Sequence, residues 1–251
     1  STSKSGGAIA TKSSFMTPDC PAARGGASTV LAFDCAVSGQ SVAVVRDGVG
    51  LVVAREEGRD QAARLLPAIG EVLERAGVAR HEIDLVAVTI GPGSFTGVRV
   101  GLAAARGLAV GLGVPLAGVS TTSVLLAQAS PVGRLAVAAV DTHLGDWFCA
   151  LGEGEALPFA TSTADLVARL SGRACTIIGH GVAPLATALT ANGTDAIEED
   201  APPDPVVLAR LALRTDVEAW RVRNHEEGLP RPLYLRGVNI TLPDGARRTV
   251  E

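Results

Sequence analysis

The chain has 251 residues, 47% of them hydrophobic and 19% charged, which is enough apolar material for one large core or two smaller ones. Its formal net charge of −4 at pH 7 argues against a protein that holds nucleic acid by itself, because affinity for phosphates comes largely from clustered Lys and Arg. The longest apolar stretch is interrupted by Arg99 and Arg106, so we expect no membrane association. The four cysteines form no CxxC pair, which is typical of reduced thiols in a cytoplasmic protein.

The first 28 residues show no periodic apolar pattern, and we predict that they are disordered. Residues 1–15 are polar, contain both lysines of the chain, and precede its only methionine, Met16. We interpret residues 1–15 as an artificial leader, with the natural chain beginning at Met16.

The ordered part begins with an N-terminal α/β subdomain, predicted over residues 29–130. Alternating and continuous apolar runs predict strands, and the pair Asp47-Gly48 is typical of a hairpin turn. The predicted elements are, in order, strands at Thr29–Asp34, Ser41–Arg46 and Val49–Ala54, a helix at Gln61–Ala76, a strand at Asp84–Ile90, a glycine loop and a helix at Val98–Gly113.

The same order recurs in a C-terminal subdomain and tail, predicted over residues 131–251. Its elements are strands at Arg134–Val140, Asp146–Leu151 and Ala156–Ala160, a helix at Thr163–Leu170, a strand at Cys175–Ile178, a glycine turn, a helix, and a long helix at Pro205–Val222. This duplication predicts an α/β fold of two ribonuclease-H-like subdomains, arranged as in the actin and sugar-kinase superfamily.

The loop Gly91-Pro92-Gly93-Ser94-Phe95-Thr96-Gly97 joins the fourth predicted strand to its helix. Glycines allow close backbone approach and a helix N-terminus attracts anions, so the loop could bind a phosphate or nucleotide through Gly91, Gly93, Ser94, Thr96 and Gly97. The alternative is a tight turn in which Ser94 or Thr96 caps the helix. The loop is neither a Walker A motif nor a GxSxG nucleophile elbow, and we predict no catalytic residue in it.

Two aspartates end corresponding strands of the two halves, Asp34 in the first and Asp141 in the second. The duplication places both near the cleft between subdomains, where they could face a metal ion or phosphates. Alternatively, each caps its turn by bonding to backbone N–H groups. The four histidines are scattered and form no HExxH pair, so we predict no metal site.

Two helices have the pattern of a surface that contacts another protein. The helix over 61–76 has apolar residues at three- and four-residue spacing, and the helix over 98–113 is apolar almost all round. Small residues recur in the second helix at Gly101, Ala105 and Ala109, and we predict that a charge at Gly101 or Ala105 abolishes pairing without unfolding the subdomain. The alternative is complete burial within this chain. The predicted interface residues are Leu65, Ile69, Val98, Gly101, Leu102, Ala105, Leu108 and Ala109.

The segment GPGSFTGVRVGLAAARGLA closely resembles the signature of the TsaB (YeaZ) family, which serves the bacterial synthesis of threonylcarbamoyladenosine in tRNA. The chain departs from the family at three places: Asp34-Cys35-Ala36 replaces Asp-Thr-Ser, Asp141-Thr142-His143 replaces Asp-Ala-Arg, and Gln61 replaces a histidine. Supporting matches are Asp34, Leu65-Leu66-Pro67-Ala68-Ile69, Gly118-Val119-Ser120, Asp141 and Pro232-Leu233-Tyr234-Leu235-Arg236.

The resemblance implies a non-catalytic scaffold that requires no cofactor and retains at most weak ATP or ADP binding. It implies pairing with a TsaD-like catalytic subunit through the first two helices, recruitment of a TsaE-like ATPase, and a homodimer when the partner is absent. The complex would modify adenosine 37 of tRNAs that read ANN codons, with tRNA held only through the complex. The alternative function is a stand-alone ATP-dependent phosphotransferase of the sugar-kinase superfamily; a metalloprotease has little residue support.

Overall fold

A computed structural model describes residues 28–58, 60–154 and 156–235, together with the backbone of 238–241 and 247–250. The predicted leader and disordered segment over residues 1–27 therefore lie outside the described residues, as do residues 236, 237, 242–246 and 251.

The first sheet has five strands in the order β3-β2-β1-β4-β5. The first three strands are antiparallel, and β4 and β5 run parallel to β1. The elements of this half are β1 (Thr29–Asp34), β2 (Gln40–Arg46), β3 (Val49–Glu56), α1 (Gln61–Ala76), β4 (Leu85–Thr89), α2 (Phe95–Leu112), β5 (Leu116–Val119) and α3 (Thr121–Gln128).

The second sheet repeats this topology in the order β10-β9-β6-β7-β8, again with three antiparallel strands followed by two parallel ones. The predicted duplication and the predicted α/β class are therefore confirmed. The elements of this half are β6 (Leu135–Asp141), β7 (Asp146–Leu151), β8 (Phe159–Ser162), α4 (Thr163–Leu170), β9 (Cys175–Gly179), α5 (Ala183–Ala191), β10 (Ala196–Asp200), α6 (Pro205–Ala212) and α7 (Val217–Glu226).

The first sheet is buried on both faces, which explains why its central strands read as continuous apolar runs. On one face, Leu31 and Phe33 pack with α1 and α2. On the other face, Val30 and Ala32 pack with α6 and with Trp220 of α7. Residues 205–226, which the sequence placed with the second half, thus complete the first half. They are two helices, because the predicted long helix is broken before Asp216, whose carboxylate caps α7 through Glu218 N.

Helix α3 lies between the two halves. Its Val124 belongs to the core of the first sheet, whereas the neighbouring Leu125 packs against the second. At its end, the Gln128 amide donates to the carbonyl of Pro202 (2.9 Å) and accepts from Asp204 N (2.9 Å). Gln128 therefore ties the end of the first half to the segment by which the chain returns from the second.

The sequence patterns missed α3 and the two strands β5 and β10. Both strands lie at a sheet edge and pair in parallel with a neighbour that is distant in sequence. At the C-terminal end, Val238–Thr241 and Arg247–Val250 pair as a two-stranded antiparallel hairpin.

Candidate functional site

The glycine loop packs tightly against the turn that follows β1. Ser94 N donates to the carbonyl of Ala36 (2.7 Å), and a Cβ added at Gly93 would lie 2.2 Å from that oxygen. A Cβ at Gly97 would lie 1.9 Å from the carbonyl oxygen of Cys35. These two glycines are therefore required because backbone passes against backbone within the chain itself.

Helix α2 begins in this loop with a side-chain cap. The Ser94 hydroxyl accepts a hydrogen bond from Gly97 N (3.2 Å), and Ser94 O accepts from Val98 N (2.9 Å). The Gly91-Pro92 peptide bond is cis, and Gly91 has a positive φ of 98°. The alternative predicted for this loop, a tight turn in which Ser94 caps the helix, therefore explains why Gly93, Ser94 and Gly97 occur there.

Asp34 lies inside the core rather than in the cleft. Its side chain is 2% exposed and accepts hydrogen bonds from the Thr89 hydroxyl (2.5 Å) and from Ala36 N (3.1 Å). Burial raises the pKa of Asp34 to about 6, although these hydrogen bonds act in the opposite direction. Asp34 therefore joins the ends of β1 and β4 to the turn on which the glycine loop packs.

A cleft of about 940 Å³ opens between the two halves. Of the predicted site residues, Gly93, Ser94, Thr96 and Asp141 line it, whereas Asp34, Gly91 and Gly97 do not. The remaining lining comes from the turn after β1, the segment before α1, the β6–β7 turn and the C-terminal segment, and includes Val37, Ser38, Glu57, Gln61, Thr142, His143, Phe148, Leu233 and Tyr234.

Asp141 faces the cleft and also orders its own turn. One carboxylate oxygen accepts from His143 N (2.7 Å), and the other lies 3.3 Å from His143 Nδ1. His143 has a left-handed backbone conformation with φ of 57°. Asp141 therefore caps its turn and also contributes a carboxylate to the cleft, whereas its facing a metal ion or phosphates stays a prediction.

One wall of the cleft is formed by residues 233–235, at the end of the C-terminal segment 229–235, a role that the sequence patterns did not indicate. Leu233 N donates to Ile90 O (2.8 Å), at the end of the strand that precedes the glycine loop. The Arg106 guanidinium donates twice to Pro230 O, at 3.2 and 2.6 Å. Contacts between residues at least 124 positions apart in sequence therefore hold this wall, and no local pattern connects them.

Three side chains form a cluster at the rim of the cleft. The Arg99 guanidinium lies 3.6 Å from the centre of the Phe95 ring, and Arg99 Nε donates to the Tyr234 hydroxyl (3.0 Å). The Phe95 and Tyr234 ring centres are 6.0 Å apart. Both rings are close to half exposed, at 45% and 46%.

The predicted interface residues lie mainly on the buried faces of their helices. Leu65, Ile69, Val98, Leu102, Ala105 and Ala109 belong to the core, Gly101 is buried, and Leu108 alone of the set is partly exposed. Gly101 and Ala105 are both buried, so a charge at either position would damage the fold, contrary to the prediction from sequence.

The exposed face of α2 carries a second series of small residues at four-residue spacing. Ala103, Gly107 and Gly111 are exposed, and Val110 beside them is 73% exposed. A Cβ added at Gly107 or Gly111 would meet nothing within 4 Å. We call Ala103, Gly107, Val110 and Gly111 the α2 ridge.

Helix α1 runs beside the α2 ridge on the same face of the sheet. Its Leu66 is 56% exposed, and its Gly70 faces open space. By length and composition alone α2 could cross a membrane; in the structure 33% of it is buried, on the side that packs along β4 and β1. The α2 ridge and Leu66 are apolar, and none of the residues that the structure describes covers them.

The part of the chain that the structure describes offers few other side chains for metal binding or catalysis. No group of three or more His, Cys, Asp or Glu side chains comes together there. Burial raises the pKa of the Cys149 thiol to about 12 and shifts the pKa of Cys35 upward as well. Both thiols are therefore held in the neutral form.

The repeated sheet topology and the cleft between the halves define a two-lobed α/β protein of the actin and sugar-kinase type. The family model described as "TsaD: tRNA N6-adenosine threonylcarbamoyltransferase" matches residues 35–171. The chain belongs to this family, and its relatives include proteins named TsaB and YeaZ as well as one named tRNA N6-adenosine threonylcarbamoyltransferase. The resemblance drawn from the glycine-loop signature is thereby confirmed.

Three similar proteins illustrate the relationship. The tRNA threonylcarbamoyladenosine biosynthesis protein TsaB of Escherichia coli K12 is 36% identical over 126 residues, 48% of this chain and 53% of that protein. Two Pseudomonas aeruginosa structures, a protein with similarity to peptidase YeaZ and YeaZ itself, superpose with TM-scores of 0.66 and 0.63. Both are 27% identical, and each match covers 83% of this chain and the whole of that chain.

The chain spans about half the length of the curated relatives it matches. Residues 35–171, which the family model matches, include the glycine loop and α2.

Proposed function

We propose that this chain is a non-catalytic scaffold in the synthesis of N6-threonylcarbamoyladenosine at position 37 of ANN-decoding tRNAs. It pairs with a TsaD-like catalytic subunit, and the pair recruits a TsaE-like ATPase. The names of its relatives, which assign TsaB to tRNA threonylcarbamoyladenosine biosynthesis, support the pathway.

The uncovered α2 ridge is the observation that carries the proposal. A helix that is apolar on its core face and also on its outer face needs cover on both. The small residues at 103, 107 and 111 allow the backbone of a partner helix to approach closely, and Leu66 of α1 extends the apolar surface. A helix pair of the catalytic subunit fits this surface, and a second copy of this chain occupies it when that subunit is absent.

The negative charge of the chain supports a complex in which the other subunits bind tRNA and carry out the transfer. The chain has a formal net charge of −4, and Glu57 and Asp141, the acidic side chains among the described residues that line its cleft, repel phosphates. Under the proposal, tRNA is held by the other subunits, in the cytoplasm, and the transfer chemistry takes place on the catalytic subunit.

The alternative is a stand-alone ATP-dependent phosphotransferase. It has less support, because Asp34 is buried against Thr89 and the signature glycines pack on the chain's own backbone. This alternative requires the isolated chain to turn over Mg-ATP with a small acceptor.

Reconstituted transfer tests the proposal. The same organism's TsaD-like and TsaE-like proteins, its adenylate-forming enzyme, tRNA and ATP are combined with and without this chain, and modified adenosine is quantified. The proposal predicts dependence on the chain and no ATP turnover by the chain alone. Undiminished modification without it, or ATP turnover by it alone, would overturn the scaffold role.

A further inference from the structure

The outer strands of the two sheets differ in how their free edges are protected. An outer strand exposes unpaired backbone N–H and C=O groups, with which another strand can pair unless something blocks them. Strand β5 is covered by α7, because the Asn224 amide accepts from Leu116 N (2.7 Å) and donates to Leu116 O (3.0 Å). Strand β8 has only four residues, and β10 carries three acidic side chains in five residues. Each of these edges is therefore poorly suited to pairing with another chain.

Strand β3 is the fourth outer strand, and it lacks most of this protection. It is eight residues long, its first six residues carry no charge, and no strand within the described part of the chain pairs with its outer edge. It has one bulge, at Leu51, where the register against β2 shifts between Val44 and Val45. A bulge bends a strand without removing the other N–H and C=O groups of its edge, so β3 stays available to a further strand.

The exposed side chains along β3 recur at every second residue. Val49, Leu51 and Val53 are each at least 39% exposed. The charged residues at the two ends of this series, Asp47 and Arg55, are exposed as well, whereas Val52 and Ala54 between them are half-buried. The exposed series therefore consists of an acidic residue, three aliphatic residues and a basic residue.

This series is self-complementary about its central residue, Leu51. When two antiparallel copies pair with Leu51 opposite Leu51, Val49 of each copy lies opposite Val53 of the other. Asp47 of each copy then lies opposite Arg55 of the other, so both ends of the pair join opposite charges. Two parallel copies in register would instead place like charges together, which favours the antiparallel arrangement with two-fold symmetry.

Both charged residues have bonding capacity left for a second copy. The Asp47 carboxylate accepts from Ser28 N through Oδ1 (2.9 Å), and the Arg55 guanidinium contacts Asp204 through Nη2 (2.6 Å). A carboxylate has further acceptor positions and a guanidinium has further donors. Exposed charge pairs add little affinity but select the orientation, whereas the strand hydrogen bonds and aliphatic contacts supply the affinity.

We infer that two copies of this chain pair antiparallel through the outer edges of β3, which joins their first sheets into one continuous sheet. This pairing goes beyond the proposed scaffold role and is independent of it. Helix α2 packs along β4 and β1, so the α2 ridge stays open to a catalytic subunit when β3 is paired.

Sedimentation velocity of the full chain carrying Gly107→Arg tests this inference. That substitution closes the α2 ridge, so the remaining self-association reports on β3, and we expect dimers that form as concentration rises. Adding Leu51→Lys, which places two positive charges together at the two-fold axis, should weaken dimerisation at least about tenfold. Val132→Lys, at an exposed residue of the loop before β6, is the matched control and should leave dimerisation unchanged.

A charge exchange provides a second readout that loss of folding cannot mimic. Arg55→Glu and Asp47→Arg, each combined with Gly107→Arg, should dimerise weakly alone, because like charges then face each other. An equal mixture of the two should regain dimers, since every facing pair in the mixed dimer has opposite signs. Circular dichroism of each variant serves as the folding control.

Three results would overturn the inference. They are a Gly107→Arg chain that stays monomeric at high micromolar concentration, dimerisation unaffected by Leu51→Lys, and a mixture of the two charge variants that stays monomeric. None of them bears on the scaffold role, because Leu51→Lys alone should still pair with the TsaD-like subunit through the α2 ridge.

Discussion

Asp34 and Thr89 join the ends of β1 and β4 by a hydrogen bond of 2.5 Å that lies entirely inside the core. The same carboxylate accepts from Ala36 N, and Ala36 O in turn accepts from Ser94 N of the glycine loop. The most distinctive aspartate and the most distinctive loop of the sequence are therefore parts of one structural unit.

This arrangement predicts a pH-dependent contribution to stability. Burial raises the pKa of Asp34 from 3.8 to about 6, so the native state holds the proton more tightly than the unfolded chain does. The stabilising contribution of the protonated carboxyl is complete below the unfolded pKa of 3.8 and is lost as the pH rises through about 6. Asp34→Asn cannot ionise, so its unfolding free energy relative to wild type should rise by about 2.5 kcal/mol between pH 4 and 7.

Urea denaturation of both proteins across that pH range measures the difference directly. Parallel pH profiles for the variant and the wild type would show that Asp34 is not a buried acid.

The two glycine environments of α2 predict opposite effects of the same substitution. Gly97→Ala places a methyl group 1.9 Å from Cys35 O and should lower the unfolding free energy by about 3 kcal/mol, since backbone must shift. Gly107→Ala meets no atom within 4 Å and should raise it by roughly 0.5–1 kcal/mol, from helix propensity alone. Equal effects in chemical denaturation would contradict the packing described for this helix.

Two alanines of α2, Ala103 and Ala105, differ in burial, so a charge at each should affect the fold differently. Ala105 is fully buried and Ala103 is exposed, so Ala105→Glu should unfold the first half by burying a charge, whereas Ala103→Glu should leave the fold intact. Circular dichroism checks the fold. Native-like spectra and melting for Ala105→Glu would show that the core face has been assigned to the wrong side of the helix.

The two hydrogen bonds from Arg106 to Pro230 O should keep the C-terminal segment 229–235 in its ordered position. Arg106→Ala removes two hydrogen bonds to Pro230 O, and the amide of Leu233 should then exchange faster, by about tenfold. The amides of β1 should keep their protection and so act as the internal control. Unchanged exchange at Leu233 would mean that the segment is held without Arg106.

Local sequence patterns predicted the repeated elements well, because hydrophobic period and turn residues determine them. The bounds of β1, α1, β7 and α4 agree with prediction to the residue. Strand β5 was missed because its four residues carry no period of their own, and it is defined by pairing with β4. The segment 229–235 was missed as a cleft wall for the same reason.

The interface residues show a different limit of sequence reasoning. Two series of small residues recur in α2 at four-residue spacing, Gly101-Ala105-Ala109 and Ala103-Gly107-Gly111. Nothing in the spacing tells which series packs on the chain's own sheet. The structure buries the first series, because Gly101 faces Cys35 and Val88, and leaves the second exposed.

Pairing through the α2 ridge is the central claim, and the most direct test combines a ridge variant with a matched control. Gly107→Arg adds a long charged side chain to the ridge without disturbing the helix, and Ala219→Arg adds the same side chain to an exposed position of α7. The measurement is the amount of complex with the TsaD-like subunit, by light scattering, and of modified adenosine in the reconstituted reaction.

The account predicts that Gly107→Arg loses both pairing and modification, whereas Ala219→Arg retains both. Wild-type levels of pairing and modification with Gly107→Arg would contradict it.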